Sequence, residues 1–179
     1  MEAARVIAET DRLTIRLLTE PDVSVLASIW ADDQATRFLG GPRVFEEVCA
    51  SFRRDLDAPP DRWGLWPVVE RSSGAVAGQC GLLPKTVDGR DETELVYVLA
   101  AAYWGRGYAT EAAAAIRDYG FGALRLARLV SLIDPAHAAS AQVALKVGMK
   151  RERDTVRPSG KTMCVYAVVA SPGAVADLA

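Results

Sequence analysis

The chain has few of the residues that mark disulfide-rich or metal-binding proteins. Its 179 residues include one histidine and three cysteines, and Cys49, Cys80 and Cys164 lie far apart. An odd number of widely spaced cysteines does not form a disulfide framework or a zinc knuckle. We therefore expect no metal, and three buried free thiols in a protein of the reducing cytoplasm.

An excess of one charge and a long apolar run are missing as well. The net charge is −2 and no basic run is present, which predicts no nucleic-acid partner. No window of eighteen residues is apolar and uncharged, so we expect no membrane partner. Acidic residues near the N-terminus do not fit a signal peptide. What is present, 50% hydrophobic and 25% charged residues, is typical of one globular domain.

The first half of the chain predicts one strand, two helices and three antiparallel strands. Alternating residues predict a strand at about 12–18, and helical spacing follows in DVSVLASIWADD and RVFEEVCASFRRDL. The prolines of DAPPDR predict a loop. WGLWPVVER and AVAGQCGLLPK form a predicted hairpin through SSG, and ETELVYVLA is the next strand. The predicted apolar face of the second helix contains Val44, Phe45, Val48, Phe52 and Leu56.

The second half predicts strand, helix, strand, helix and a closing hairpin. The helix YATEAAAAIRDYGFGAL has Gly120 and Gly122 at its predicted end, and a buried strand follows at about 127–133. A shorter helix, HAASAQVALKVGM, stops at Gly148, and KRERDTVRP pairs with KTMCVYAVVA. This order predicts an α/β fold with a mixed sheet.

The stretch YWGRGYATEA, residues 103–112, predicts an anion site. The first N–H groups of a helix have no partner within the helix and lie at the positive end of its dipole. Gly105 and Gly107 leave room for close approach, Ala109 is small, and Thr110 and Arg106 add a hydroxyl and a charge. A strand before and a helix after favour phosphate binding over a simple turn.

A dinucleotide is the competing ligand for this loop. GRGYAT begins like the G-x-G-x-x-G motif, and Asp134 closes the next strand as a ribose-binding acid would. However, Thr110 stands where the third glycine belongs, and the loop follows antiparallel strands with too little chain left for a doubly wound sheet. A nicotinamide-dependent oxidoreductase is thus a weaker alternative.

Taken together, these segments resemble the GCN5-related N-acetyltransferases, and within them the ribosomal-protein-alanine acetyltransferases. The resemblance covers about residues 11–170 and is carried by RLTIRLL, TRFLGG, ELVYVLAAAYWGRGYATEA and DPAHAASAQVALKVGM, in the family's order. It implies one domain at 11–170, between an N-terminal extension at 1–10 and a C-terminal tail at 171–179. It also implies a mostly antiparallel sheet of about seven strands, splayed at the strand before the glycine loop, and about four helices.

The resemblance implies acetyl-CoA as co-substrate. The family signature Gln/Arg-x-x-Gly-x-Gly/Ala is matched at Gly107 and Ala109, whereas Trp104 stands at its first place. By resemblance, the pyrophosphate is held at the loop, and the pantetheine arm pairs with the preceding strand. The implied contacts are Tyr97, Val98, Leu99, Trp104, Gly105, Arg106, Gly107, Tyr108, Ala109 and Thr110.

The shorter helix departs from the family pattern. Where the family has Asn, then Ala or Ser, then Tyr, this chain has His137, Ser140 and Ala144. The tyrosine that often protonates the departing thiolate is absent. The resemblance implies that Ser140 takes its place as catalytic acid, and that His137 contacts the cofactor at the asparagine position.

Acetyl transfer also needs a base, because the acceptor amine is an ammonium at neutral pH. Glu94 is the candidate, since it begins the strand whose far end carries the glycine loop, and Glu92 is its rival on the same face. Backbone N–H groups at a strand edge can stabilise the charge on the thioester oxygen. By resemblance, Arg37 and Phe38 lie with Glu94 on the acceptor side.

The sequence thus predicts an acetyl-CoA-dependent N-acetyltransferase that passes acetyl directly to a primary amine. The acceptor could be a protein N-terminus or a small molecule, including an aminoglycoside-like amine. A catalytically inactive acyl-CoA-binding module is the alternative, because His137 and Ala144 depart from the pattern. An exposed strand edge would also allow a homodimer.

Overall fold

Eight strands form one sheet in the computed structural model, which describes residues 4–57 and 62–171. The strands are β1 (Val6–Glu9), β2 (Leu13–Arg16), β3 (Gly64–Glu70), β4 (Val76–Val87), β5 (Arg90–Leu99), β6 (Arg128–Ile133), β7 (Lys150–Val156) and β8 (Thr162–Val169). Their spatial order is β1-β2-β3-β4-β5-β6-β8-β7. All neighbours are antiparallel except β5 and β6.

The predicted mixed, mostly antiparallel sheet is confirmed, with one strand more than expected. The additional strand is β1, which lies in the predicted N-terminal extension and pairs with β2. Most of the predicted DAPPDR loop and nearly all of the predicted C-terminal tail lie outside the described residues. The sheet ends at β1 and β7 in the described part of the chain, and a homodimer through such an edge stays a prediction.

Within the described ranges, five α-helices cover the two faces of the sheet. They are α1 (Glu20–Ala31), α2 (Asp33–Thr36), α3 (Phe45–Asp57), α4 (Tyr108–Gly122) and α5 (Ala138–Lys146). On one face, Ile116 of α4 packs with Leu82 and Leu95 of the sheet; on the other, Leu26 of α1 packs with Val98. No helix in these described ranges is both long and apolar enough to cross a membrane.

The face predicted for α3 is only partly buried. Val48 is buried and Phe52 and Leu56 are partly so, but Val44 is 56% and Phe45 36% exposed. The difference arises because α3 packs against α1, and a cavity of about 940 Å³ lies between α3 and β3. A helix that rests on another helix across a cavity does not need its whole apolar stripe buried.

The prediction for Gly120 was also wrong. Helix α4 ends at Gly122, as expected, but Gly120 lies inside the helix and is buried. A Cβ at Gly120 would come within 3.2 Å of Leu82 Cδ1 and 3.4 Å of Leu129 Cδ1. The glycine therefore allows close packing of α4 on the sheet rather than marking the helix end.

The sheet parts between β5 and β6. The two strands share one residue pair, Glu94 with Val130, and Ser131 Oγ donates a 2.7 Å hydrogen bond to the carbonyl of Leu95. Beyond this point β5 continues against β4 to Leu99, whereas β6 continues against β8. We call the resulting opening the β5–β6 gap.

Strands β3 and β4 approach closely at Gly81, and this contact generates a test of the fold. A Cβ at Gly81 would lie 1.8 Å from the carbonyl oxygen of Gly64. We expect Gly81→Ala to lower the free energy of unfolding by more than about 2 kcal/mol, because the strands must separate. The matched change Gly122→Ala meets no atom within 4 Å and should raise stability by up to about 1 kcal/mol. Urea denaturation measures both, and equal stabilities would contradict the packing described.

Candidate functional site

One edge of β5 faces the β5–β6 gap. The amide of Ala100 donates to the carbonyl of Ala77 on β4 at 3.0 Å. Because backbone groups alternate sides along a strand, those of Val98 also face β4, and those of Tyr97 and Leu99 face the gap. The predicted main-chain contact at Val98 is therefore corrected, since the sheet uses its backbone groups. Tyr97 and Leu99 keep the predicted orientation.

The glycine loop continues directly from this edge into α4. Gly107 is the N-cap residue with φ +81°, and Gly105 has φ +73°. Both angles lie in the left-handed region that glycine adopts without strain. The N–H groups of Tyr108, Ala109 and Thr110 form the first turn of the helix and have no partners within it. These donors, at the positive end of a 15-residue helix, fit a diphosphate.

An arginine from the β1–β2 turn holds this loop in place. Arg12 Nη1 donates to the carbonyl of Arg106 at 3.0 Å, and Arg12 Nε donates to Glu111 at 2.7 Å. Thr10 Oγ1 donates to the same carboxylate at 2.6 Å. Burial raises the pKa of Glu111, but hydrogen bonds from Thr10 and Arg12 outweigh it and lower that pKa overall. No sequence signal pointed to this pairing of Arg12 with Glu111.

The side chains of Arg106 and Tyr108 meet a second carboxylate. Tyr108 is buried, and its hydroxyl donates to Glu70 Oε1 at 2.5 Å. Arg106 Nη1 lies 3.7 Å from the same oxygen. Hydrogen bonds from Ser73 and Tyr108, and the charge of Arg106, hold the pKa of Glu70 below its usual range. Tyr108 therefore contributes its main-chain N–H to the anion site, while its ring packs in the core.

Trp104 lies beside the opening of the gap. Its indole is 51% exposed, and Nε1 donates to the carbonyl of Leu99 at 2.8 Å. The indole thus covers one of the backbone groups that face the gap and fixes the strand end relative to the loop. This position is consistent with the predicted contact to a cofactor arm along β5.

Ser140 lies in the first turn of α5 and contacts the phenol of Tyr97. The Tyr97 hydroxyl donates to the Ser140 carbonyl at 2.8 Å, and Ser140 Oγ donates to the Tyr97 hydroxyl at 3.1 Å. Ala144, at the position of the absent tyrosine, is fully buried in the core. Sequence reasoning assigned Tyr97 only a main-chain role and missed this side-chain contact.

Three loops meet at His137. Its imidazole stacks on the ring of Phe38, with the ring centroids 4.3 Å apart. The Arg37 guanidinium also lies over the Phe38 ring, 5.5 Å from its centroid. Lys161, from the β7–β8 turn, donates to the carbonyl of Phe38 at 3.4 Å and pairs with Asp134 at 2.8 Å. Phe38, which was predicted for the acceptor side, thus contacts His137, which was predicted at the cofactor.

Glu94 lies at the apex of the gap and faces the α1–α3 side. Its carboxylate is 12% exposed and lies 3.5 Å from Lys85 Nζ. The rival Glu92 is held by Arg128, whose Nε lies 3.1 Å away and which also binds Glu152. Arg128 Nε donates to both Glu92 oxygens, whereas Glu94 has one longer ion pair with Lys85, so Glu94 is the less tightly held of the two.

The cavity beneath α3 lies on the same face of the sheet as this carboxylate. Its lining includes Leu83, the cross-strand partner of Glu94 on the same sheet face. Trp30, held by a 2.7 Å hydrogen bond from Nε1 to Gln79, contributes an aromatic wall, and Glu47 contributes a carboxylate. The cavity can therefore hold a molecule with an apolar part and a positive charge close to Glu94.

A family model described as Acetyltransferase (GNAT) domain matches residues 12–150. The chain belongs to this family, which confirms the predicted class of enzyme and favours it over the dinucleotide alternative. The fold is the GNAT fold: an acetyltransferase from Agrobacterium tumefaciens str. C58 superposes with TM-score 0.75 at 29% identity, over 90% of this chain and 93% of that one.

Two further similarities accompany the family match. It is 39% identical to the uncharacterized protein YkkB of Bacillus subtilis (strain 168) over 57% of this chain, and the match spans only 59% of that relative. Spermidine N-acetyltransferase from Vibrio cholerae, solved with CoA and spermine, has TM-score 0.73 at 15% identity, over 89% of this chain and 96% of that one. At that identity the likeness concerns the fold alone.

The chain's one histidine allows a direct test of the three-loop contact. Burial against Phe38 lowers the pKa of His137 below its ordinary value of 6.5, and the charge of Asp134 partly opposes this. We expect Phe38→Leu to raise the pKa, because the imidazole becomes more hydrated, and Asp134→Asn to lower it further. NMR titration of the imidazole measures each, with Phe45→Leu on α3 as the control. A pKa at or above 6.5 in the unchanged protein would rule out the stack.

Proposed function

We propose that this protein is an acetyl-CoA-dependent N-acetyltransferase that passes the acetyl group directly to a primary amine. One observation carries the proposal: the edge of β5 that has no partner strand at Tyr97 and Leu99 leads into the glycine loop at the N-terminus of α4. A strand edge offers hydrogen bonds to the amides of a pantetheine arm, and the helix N-terminus offers them to a pyrophosphate. The CoA complex of the Vibrio cholerae enzyme with this fold supports the assignment.

The loop residues and the strand would bind the two ends of the co-substrate. Gly105, Gly107 and the N–H groups of Tyr108, Ala109 and Thr110 would hold the pyrophosphate, with Arg106 adding charge. The distance along β5 from Leu99 to Leu95 is about 13 Å at the usual rise per residue. An arm that follows this edge therefore brings its thioester towards the apex of the gap, where Glu94 lies.

Glu94 is the proposed base. As the amine attacks the thioester carbon, a C–N bond forms, the C–S bond breaks and the nitrogen loses a proton. The Glu94 carboxylate, directly or through water, accepts that proton. The N–H of Tyr97 faces the gap and can donate to the carbonyl oxygen as it becomes negative. No covalent intermediate with the protein is needed.

The acceptor is proposed to enter from the α1–α3 face. The cavity is lined by Trp30 and by Leu83, the cross-strand partner of Glu94. Among its described lining residues, two carboxylates, Glu47 and Asp55, outnumber the one guanidinium, Arg43, which favours a cationic amine. Arg37 and Phe38 form one side of the entrance in this proposal, through the contact of Phe38 with His137. The substrate class is therefore a primary amine with an apolar part, either a small molecule or a peptide N-terminus.

Binding of acetyl-CoA at the glycine loop can be tested with two matched substitutions. Gly107→Glu places a carboxylate at the helix N-terminus, where the negative charge repels the pyrophosphate. The substitution also removes the glycine that adopts a positive φ there. We therefore expect acetyl-CoA to bind at least about 100-fold more weakly. Gly89→Glu carries the same backbone cost, because Gly89 has φ +74° in the open β4–β5 turn, and should bind as the unchanged protein does. Isothermal titration calorimetry measures both. Equal affinities of all three proteins for acetyl-CoA would show that the phosphates do not bind at the glycine loop.

Two matched substitutions also distinguish Glu94 from Glu92 as the base. Glu94→Gln should lower kcat/KM for the amine by about 10²- to 10⁴-fold, since the neutral amide cannot accept a proton. Glu92→Gln breaks the pair with Arg128 and should lower thermal stability while leaving turnover near normal. The assay follows release of CoA with polyamines, aminoglycosides and short peptides as acceptors. Normal turnover in the Glu94 variant would exclude it as the base, and acetyl-CoA binding without transfer to any amine would favour the inactive module.

A further inference from the structure

Position 144 of α5 offers no hydroxyl that could donate a hydrogen bond to the departing thiolate. Ala144 is fully buried and apolar, so the position at which the family pattern has a tyrosine offers no donor. The apex of the gap is closed by Ser131, whose hydroxyl is already donated to the Leu95 carbonyl. On this side of the gap, α5 and β5 bring together the hydroxyls of Ser140 and Tyr97.

The Tyr97 side chain reaches across the gap from strand to helix. Tyr97 lies three residues beyond the last β5–β6 pair at Glu94, on the α4–α5 face of the sheet. Its phenol donates to the Ser140 carbonyl at 2.8 Å, which fixes the hydroxyl proton. The Ser140 hydroxyl in turn lies 3.1 Å from the phenol oxygen. Tyr97 thus ties the first turn of α5 to β5 beside the proposed path of the pantetheine arm.

Proton transfer from this pair to a thiolate is unfavourable. An ordinary thiol has a pKa of about 8.5 and an ordinary phenol about 10. Burial raises the pKa of Tyr97 further, and the hydrogen bond from Ser140 only partly opposes this. The neighbouring Cys80 and Tyr166 act in the same direction as burial. A neutral hydroxyl in this place can therefore donate a hydrogen bond to sulfur but does not give up its proton.

We propose that Tyr97 is a positioning residue. Its hydrogen bond to the Ser140 carbonyl fixes the first turn of α5 so that the Ser140 hydroxyl, which the resemblance places at the departing sulfur, reaches the thiolate as a hydrogen-bond donor. This inference rests on the proposed function. The C–S bond breaks and its electron pair stays on sulfur, the amine proton goes to Glu94, and the thiolate takes its proton later from solvent. Ser140 turns its O–H from Tyr97 to the sulfur, while Tyr97 keeps its bond to the Ser140 carbonyl. Ser140 is thereby a hydrogen-bond donor and not the proton donor expected from the resemblance.

The pKa of the thiol of bound CoA tests this role without turnover. It is measured from the ultraviolet absorbance of the thiolate as pH is raised, in the presence of saturating protein. The hydroxyl pair should increase the thiolate fraction relative to free CoA, and Tyr97→Phe and Ser140→Ala should each reduce that fraction about tenfold at the same pH. Ser140→Thr keeps a hydroxyl and should restore it. Tyr119→Phe, whose ring packs against Trp66, is the control and should behave as the unchanged protein.

Steady-state kinetics provides a second readout. Tyr97→Phe should lower kcat about tenfold with little change in KM for acetyl-CoA, because the donor acts on the leaving sulfur and not on cofactor binding. A Tyr97→Phe protein with normal thiolate fraction and normal kcat would show that the phenol only packs. If that variant does not fold, the Ser140→Ala result decides, and an unchanged thiolate fraction overturns the proposal. An unchanged protein that binds no CoA overturns the proposed function itself, and the role of Tyr97 with it.

Discussion

The separation of β5 from β6 is the constraint on which the site depends. A single residue pair, Glu94 with Val130, joins the two strands. Just beyond it, the Ser131 hydroxyl donates a hydrogen bond to the Leu95 carbonyl. Past this apex the backbone groups of β5 that face β6 have no strand to pair with, although they stand in the middle of an eight-stranded sheet. Unpaired backbone donors and acceptors in such a place are costly unless a ligand satisfies them, which is why an extended amide-containing arm fits there.

The gap opens to both faces of the sheet, and the two faces have different chemistry. Glu94 and the cavity under α3 lie on one face, where an amine can lose its proton to a carboxylate. Tyr97 and Ser140 lie on the other, where neutral hydroxyls can meet a departing sulfur. The alternation of side chains along one strand is sufficient to place the proposed base and the proposed thiolate donor on opposite faces. The β1–β2 turn, through Arg12, keeps the glycine loop at the end of the same strand.

Local patterns predicted most of the fold, because strand alternation, helix spacing and turn glycines are properties of neighbouring residues. The glycine loop was predicted for the same reason. Glu94 was expected to begin its strand, but β5 starts at Arg90 and Glu94 lies in its middle, because the turn signal VDGRD does not show where pairing with β4 begins. What the sequence could not show are contacts between distant residues: Arg12 with Glu111, 99 residues apart, and Tyr97 with Ser140, 43 residues apart. The partial exposure of α3 was also unpredictable, since its apolar stripe does not reveal the cavity beneath it.

The measurement that tests the central claim most directly is an NMR titration of the backbone amides with acetyl-CoA. If the co-substrate lies along the free edge of β5, the amides of Tyr97 and Leu99 and those of Tyr108, Ala109 and Thr110 should shift strongly. The amide of Val98 faces β4 and should shift much less. An equal response of all three strand residues, or shifts confined to other parts of the chain, would contradict the account of the β5–β6 gap as the binding site.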